Sequence, residues 1–420
     1  MGSGKVVITG LGFITSIGNS KASVLESLKW LVSGIELYPP FADPKIPVKC
    51  AGTVKGFSVA GSDPEDWTFP GEYSVRRDVL RGFSPHCLYA YCAMRQAVAD
   101  AGLSEGEVSN DDTGMYTASA GSTSMLYSNM QRMDRIGVSR CPPMGVVSSV
   151  VGTLSFNLVS AFKIKGASCG FASACASSSH AMGFAFDEIA SGRQKRMFVV
   201  GGEDGDERTI LPFAGMRALS SNPDPAKASR PYDKARDGFV GTGGAVVAVL
   251  EDEEEAKSRG ARIYARMLGW GQGSDGYNVA IPHPGGDGLA LAVRNAFRAS
   301  GLTPGDVGYI NTHATSTPIG DVAELRAIEK EFGASPSVPL SSTKALTGHG
   351  LSLAGVMEAG FCALALEGGF IPGSANISEL DEAAKPFNIP TETRDADLGV
   401  AMSLSSGFGG ANTALLFGKA

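Results

Sequence analysis

Apolar positions along the chain change their period repeatedly, and the changes divide it into alternating strands and helices. Val6, Val7, Ile8 and Thr9 form a run continuous enough for a buried strand over 6–9. Residues 20–32 then place Val24, Leu25, Leu28 and Val32 on one face, a helical spacing with Ser20 or Ser23 as N-cap. Helices are predicted again over 85–101, 288–299, 320–332 and 351–366, and strands over 197–200 and 307–310. Such alternation specifies a layered α/β fold. Two helical segments, 174–186 and 350–363, consist largely of Ala, Ser and Gly. Small side chains let backbones approach closely, so both helices belong in the interior, against each other or against the sheets.

The pattern also echoes itself. Asp-Gly-Phe-Val-Gly-Thr-Gly-Gly-Ala-Val-Val-Ala-Val-Leu at 237–250 resembles Ser-Gly-Phe-Gly-Gly-Ala-Asn-Thr-Ala-Leu-Leu at 406–416. Each is a glycine turn feeding an apolar strand. The most charged stretch, 251–259, lies between them and reads as a connector. Two related halves are expected, 1–255 and 256–420.

Composition narrows the class. Of 420 residues, 43% are hydrophobic and 19% charged, which suits an ordered protein with a large core. A net charge of -7 excludes a general nucleic-acid binder. The seven cysteines (50, 87, 92, 141, 169, 175 and 362) are odd in number and include no Cys-x-x-Cys pair. That argues against a disulfide framework or zinc ribbon and for a reducing compartment. The opening Met-Gly-Ser-Gly-Lys-Val lacks a signal-peptide layout, and Val6 breaks the myristoylation pattern. No run reaches the ~18 uninterrupted apolar residues of a membrane span. A soluble cytoplasmic protein with no membrane or nucleic-acid partner is expected.

The chemistry concentrates at three places. Cys175 lies in Ser-Ala-Cys-Ala-Ser-Ser-Ser-His at 173–180, where the predicted helix would place it in the first turn. There the positive helix end favours a thiolate nucleophile. His313 lies in Asn-Thr-His-Ala-Thr-Ser-Thr-Pro, after a short strand, with Thr315 and Thr317 offering hydroxyls and Asp321 and Glu324 favouring the start of the next helix. His349 closes Thr-Lys-Ala-Leu-Thr-Gly-His, where Lys344 would keep the imidazole neutral and Glu358 is its available partner. His86, His180 and His283 read as structural, with the alternative that His180, on the Cys175 helix, faces the site. Other motifs are weaker. Gly10-Leu-Gly12 lacks the third glycine of a dinucleotide loop. Gly166-Ala-Ser168-Cys-Gly170 fits a nucleophile elbow and leaves a serine hydrolase as an alternative, but it follows Lys163-Ile-Lys165 rather than an apolar strand. No metal-site spacing joins Cys175, His313 and Asp321.

These motifs, with Val-Val-Ile-Thr-Gly-Leu-Gly (6–12), Ala-Val-Ala-Asp-Ala-Gly-Leu-Ser (97–104), Lys-Ala-Ser-Arg-Pro-Tyr-Asp (227–233) and Gly-Phe-Gly-Gly-Ala-Asn (407–412), give a chain that resembles the elongating β-ketoacyl-[acyl carrier protein] synthases throughout. The resemblance implies a thiolase-like five-layered αβαβα fold, a homodimer, and condensation of an acyl-cysteine with malonyl-acyl carrier protein in fatty acid or polyketide-like elongation. It implies no enzyme-bound cofactor, the phosphopantetheine coming with the carrier. It makes Cys175 the nucleophile and His313 and His349 the pair promoting decarboxylation. Lys344 and Glu358 organise them, and Thr315 and Thr317 contact pantetheine. The amides of Cys175 and Phe408 become the oxyanion hole. Ser406 stands where the family usually carries an aromatic gate, which implies a wider, more polar passage. The acidic carrier would dock on Arg76, Arg77 and Arg81, or on Arg132, Arg135 and Arg140. A non-catalytic chain-length subunit is the other alternative, and the presence of Cys175 argues against it.

Overall fold

The computed structural model describes residues 5–420. The reading of the N-terminal segment rests partly on residues 1–4, which lie outside the described residues. The ten strands of the main sheet are β1 (Val6–Ile14), β2 (Thr113–Ala118), β3 (Ser168–Phe171), β4 (Arg196–Glu203), β5 (Gly244–Asp252), β6 (Ala265–Ser274), β7 (Tyr309–Asn311), β8 (Leu340–Ser341), β9 (Val400–Gly407) and β10 (Ala411–Lys419). Their order is β8-β7-β9-β10-β6-β1-β5-β4-β2-β3. Strands β3-β2-β4 run parallel, with β5 and β1 added antiparallel. Strands β8-β7-β9 are also parallel, with β10 and β6 added antiparallel. The two sets of five therefore share one strand order, and antiparallel pairing of β1 with β6, from Val6↔Met267 to Ile8↔Ala265, joins them.

Eight principal helices complete the layers: α1 (Lys21–Trp30), α2 (Pro85–Asp100), α3 (Thr123–Ile136), α4 (Thr153–Phe162), α5 (Ser177–Ala190), α6 (Asp287–Ser300), α7 (Pro318–Phe332) and α8 (Ala354–Gly368). Helices α2 and α4 cover one outer face and α6 and α7 the other, while α5 and α8 are sandwiched between the two sets of strands. Five αβαβα layers result.

Local sequence explains the elements and the places where they differ from expectation. Ser20 caps α1 by accepting the Ser23 amide, as its position predicts. Strand β1 runs on through Gly10 and Gly12, so that pair is not a loop. A Cβ on Gly12 would meet the Ala93 carbonyl oxygen at 1.9 Å, and one on Gly10 the Ala97 carbonyl oxygen at 2.6 Å. The glycines let α2 lie directly on the strand. The 251–259 stretch is no free connector either. Glu251 is fully buried, takes Arg196 and Arg259, and lies within β5, and residues Glu253–Ser258 form a short helix.

The small-residue helices do pack on each other. A Cβ on Gly355 would overlap Ser179, and the Val356 amide donates to Ser178 Oγ at 3.0 Å. The stretch Leu351–Gly368 is long and apolar enough to cross a membrane, with a mean hydropathy of 1.4, but 89% of it is buried in this middle layer. All seven cysteines are unpaired.

Candidate active site

Helix α5 begins at Ser177, so Cys175 is not in its first turn but on the sharp turn before it. Ala174, immediately upstream, has φ +50°, a left-handed conformation that costs a non-glycine residue about 1 kcal/mol or more. The turn aims the thiol into a cavity of about 280 Å³, lined by Cys175, His313, His349, Thr315, Phe213 and Phe408 among others. Thr317, Ser406 and Glu324 also line it.

His349 arrives from the second half, on the turn between β8 and α8. Its backbone N–H donates to the Val240 carbonyl at 2.6 Å, and its Nε2 lies 3.0 Å from Cys175 Sγ. His313 follows β7, and its ring stands perpendicular to that of His349 with centroids 5.2 Å apart. The Nδ1 atoms of both rings are buried without a protein partner among the described residues. Lys344 and Glu358, each 0% exposed, form an ion pair whose lysine acts electrostatically on both rings.

Burial, and then the Lys344 charge, hold both imidazoles well below the usual histidine range, and His349 adds to the effect on His313. Both rings are therefore neutral, as the position of Lys344 predicts. The expected thiolate is a different matter. Burial pushes the Cys175 thiol up to about 12, Lys344 opposes the rise, and the Glu203 and Glu358 charges add to it. The α5 terminus is worth only about 0.3–1 kcal/mol to an anion at its first turn, so desolvation wins. The neutral His349 ring lies within hydrogen-bond reach of the thiol and can accept its proton.

Gly407 explains the other wall. A Cβ there would meet the Ser173 carbonyl oxygen at 2.6 Å and the Cys175 amide nitrogen at 3.0 Å. Close approach of bare backbone thus brings the Gly407–Phe408 peptide beside the amide of Cys175. The Phe408 ring packs on Phe213 with centroids 6.0 Å apart. Thr315 and Thr317 bond to each other at 3.1 Å. Ser406 is the cross-strand partner of Asn412, whose side-chain amide donates to Asp275 at 2.9 Å.

Two carboxylates build the His313 turn. Asp321 accepts the Ser316 and Thr317 amides at 3.1 and 3.2 Å and pairs with Arg236 at 3.2 Å. Glu324 accepts the His313 and Ala314 amides, each at 2.7 Å. Sequence reasoning placed Glu324 only as a residue favouring the helix start. The i, i+3 spacing from Asp321 to Glu324, one helix turn after the motif, is the signal that both face the turn. Burial pushes Asp321 up to about 6 and Glu324 up to about 8.

Ser168, the alternative nucleophile, lies exposed on β3 at the sheet edge, so no elbow forms there. His86, His180 and His283 lie outside this site. No group of three or more His, Cys, Asp or Glu suited to a metal occurs among the described residues.

Known proteins resemble this chain along its whole length. The chain is 42% identical over 421 residues to 3-oxoacyl-[acyl-carrier-protein] synthase 1 of Haemophilus influenzae, covering 98% of each. It is 41% identical to the protein of that name in Escherichia coli strain K12, covering 99% of each. Among solved structures, a β-ketoacyl synthase from Burkholderia phymatum superposes with a TM-score of 0.90 at 31% identity, over 99% of this chain and 100% of that one. Residues 3–256 match the β-ketoacyl synthase N-terminal domain and residues 264–378 its C-terminal domain. With a thiol from the first domain meeting two imidazoles from the second, and both domains matched in order, the chain belongs to the β-ketoacyl synthase family.

Proposed function

We propose that the chain elongates acyl groups by decarboxylative Claisen condensation in two half-reactions at Cys175. In the first, the sulfur attacks the thioester carbonyl of an acyl-carrier substrate and passes its proton to His349. The carbon–sulfur bond to phosphopantetheine breaks, and the departing thiol takes the proton. In the second, malonyl thioester enters, its bond to the carboxylate breaks, and CO₂ leaves. The enolate oxygen accepts hydrogen bonds from the Nε2–H groups of His313 and of His349, whose ring proton has moved from Nδ1 to Nε2 for this half-reaction. The carbanion then attacks the acyl-Cys175 carbonyl, and the carbon–sulfur bond breaks to release a β-ketoacyl thioester and the Cys175 thiolate, which takes up one proton from solvent to restore the thiol. The amides of Cys175 and Phe408 hold the oxyanion in each acyl transfer, a contribution of about 2.7–4 kcal/mol per donor by comparison with other oxyanion holes. Thr315 and Thr317 line the pantetheine path, and Asp321 and Glu324 hold their turn.

The observation that carries this reading is the 3.0 Å approach of His349 Nε2 to Cys175 Sγ with His313 at its side. Intact mass measurement after exposure to acyl carriers of graded chain length tests it. One acyl group on wild type and none on Cys175→Ala is expected, and acylation of the alanine variant would refute it.

The carrier's docking site follows from charge. Arg77 and Arg81 are paired with Glu65, and Arg76 with Asp78. Arg132, Arg135 and Arg140 form no ion pair among the described residues, and Arg132 Nε donates to the Arg140 carbonyl at 3.0 Å. The unpaired group on and after α3 suits an acidic carrier better. Arg132→Glu with Arg135→Glu should abolish the salt dependence of carrier binding, and unchanged binding would remove the assignment. A homodimer is supported by β3, an exposed strand at the sheet edge beside exposed Phe156 and Val151. Ser406 widens the passage beside Cys175. Ser406→Phe should narrow the range of chain lengths accepted, and identical product profiles would refute a gating role.

A further inference from the structure

A buried polar network that the condensation steps do not use lies at the end of β4. Glu203 and His86 are fully buried and Asp204 nearly so. Glu203 Oε1 accepts the Ala120 N–H at 3.2 Å and also the Ser352 hydroxyl. Asp204 Oδ1 accepts the His86 amide at 3.0 Å and lies 2.6 Å from His86 Nδ1, while its Oδ2 accepts the Ser122 hydroxyl. His86 Nε2 lies 3.0 Å from Ser119 Oγ, which accepts the Gly121 amide at 2.9 Å. The turn 119–122, which opens α3, is pinned along its length.

Glu203 also reaches the second half of the molecule. Ser352 is three residues beyond His349 on the same turn. Between them Leu351 has φ +51°, a left-handed conformation that a branched side chain keeps only when its surroundings hold it. Ser352 is the first anchored side chain after that residue. Glu203 Oε2 is buried with no partner among the described residues. Burying a carboxylate in that condition is costly, and packing alone would be served better by an apolar side chain. The other oxygen of Glu203 joins the two turns.

We propose that Glu203 is a positioning residue: by fastening Ser352 it fixes the turn that sets His349 against Cys175, and it ties that turn to the one opening α3. The claim rests on the condensing reading for its kinetic test but not for its chemical one.

Three variants decide it. Glu203→Ala and Ser352→Ala each break the bond, whereas Glu203→Gln keeps a carbonyl acceptor for both donors. Malonyl-thioester decarboxylation should show kcat lowered about tenfold in the first two, with KM within about twofold and cooperative unfolding retained, the signature of displaced catalytic groups. Glu203→Gln should restore most of kcat. Ser352→Ala leaves the carboxylate in place, so iodoacetamide should alkylate its Cys175 about tenfold more slowly as the thiol loses its aligned proton acceptor. Wild-type kcat and alkylation in Ser352→Ala, or a rise in KM at unchanged kcat, would overturn the proposal. If Glu203→Ala fails to fold, Ser352→Ala, which deletes a single oxygen, carries the test. If wild type decarboxylates no malonyl thioester, the functional reading falls, and the alkylation rate, which needs only thiol and imidazole, still decides the positioning claim.

Discussion

Replacing Lys344 by Met probes the organisation of the site most directly. Lys344 and Glu358 are both fully excluded from solvent and bonded to each other through Glu358 Oε1, while Glu358 Oε2 has no hydrogen-bond partner among the described residues. Removing the ammonium leaves a buried carboxyl with nothing to balance it, which costs about 3–5 kcal/mol, or about 10²–10⁴ in the folding equilibrium. Removing both charges avoids that penalty, so Lys344→Met with Glu358→Gln should cost clearly less than the single change. The single variant's deficit should also depend on pH. Burial already pushes Glu358 up to about 7 in the presence of Lys344, and losing the lysine raises it further. A carboxyl whose folded pKa exceeds its unfolded one is relatively stabilising below the unfolded value. That contribution is lost as pH rises through the folded value. The deficit should therefore be smaller at pH 5 than at pH 8. Urea unfolding at fixed protein concentration measures this. Equal deficits for single and double variants, or a single-variant deficit below about 1 kcal/mol, would refute the reasoning. In parallel, acylation of Cys175 should weaken on the acid side in Lys344→Met, because one of the two causes holding His349 neutral is gone.

Other substitutions give sharper local tests. Glu324→Ala removes both oxygens that hold the His313 and Ala314 amides, which should cost about 1–3 kcal/mol in stability and slow decarboxylation, and wild-type values for both would refute its hold on His313. Gly407→Ala drives a methyl into the Ser173 carbonyl and Cys175 amide and should cut acyl transfer by about 10² or more through the displaced oxyanion donors; a burst-phase assay of acylation reads this directly. Alkylation of Cys175 in the empty enzyme should keep rising past pH 9, because burial raises the thiol, and a plateau near pH 7 would show that the α5 terminus outweighs desolvation.

Much of the site was legible in the sequence because each reactive group sits in a short motif whose neighbours are chemically necessary. Cys175, His313, His349, Lys344 and Glu358 meet as their motifs imply. What was not legible depends on three-dimensional neighbours. Gly10 and Gly12 look like a loop until α2 is seen lying on them. The starting residue of α5 decides which side of a helix boundary Cys175 falls on, and the residues from 174 to 177 are too small and uniform to mark it. The acidic run 251–259 looks solvated, yet Glu251 finds Arg196 from β4 and Arg259 from beyond the strand. Glu203 follows two glycines in an apolar strand and gives no local hint of its link to Ser352, 149 positions away. Long-range polar pairing of this kind has no periodicity to betray it.

The contact between α5 and α8 has one more consequence. Their first turns touch, at Ser178 with Val356 and Ser179 with Gly355, so two aligned stacks of peptide units point their electropositive ends at one locus. Neighbouring ends of like sign repel, and tight interlocking of small side chains keeps them together. The resting seam is thus electrostatically frustrated, and a transient negative charge formed there relieves the repulsion. The contact thus places one helix end from each half of the chain on the join between them.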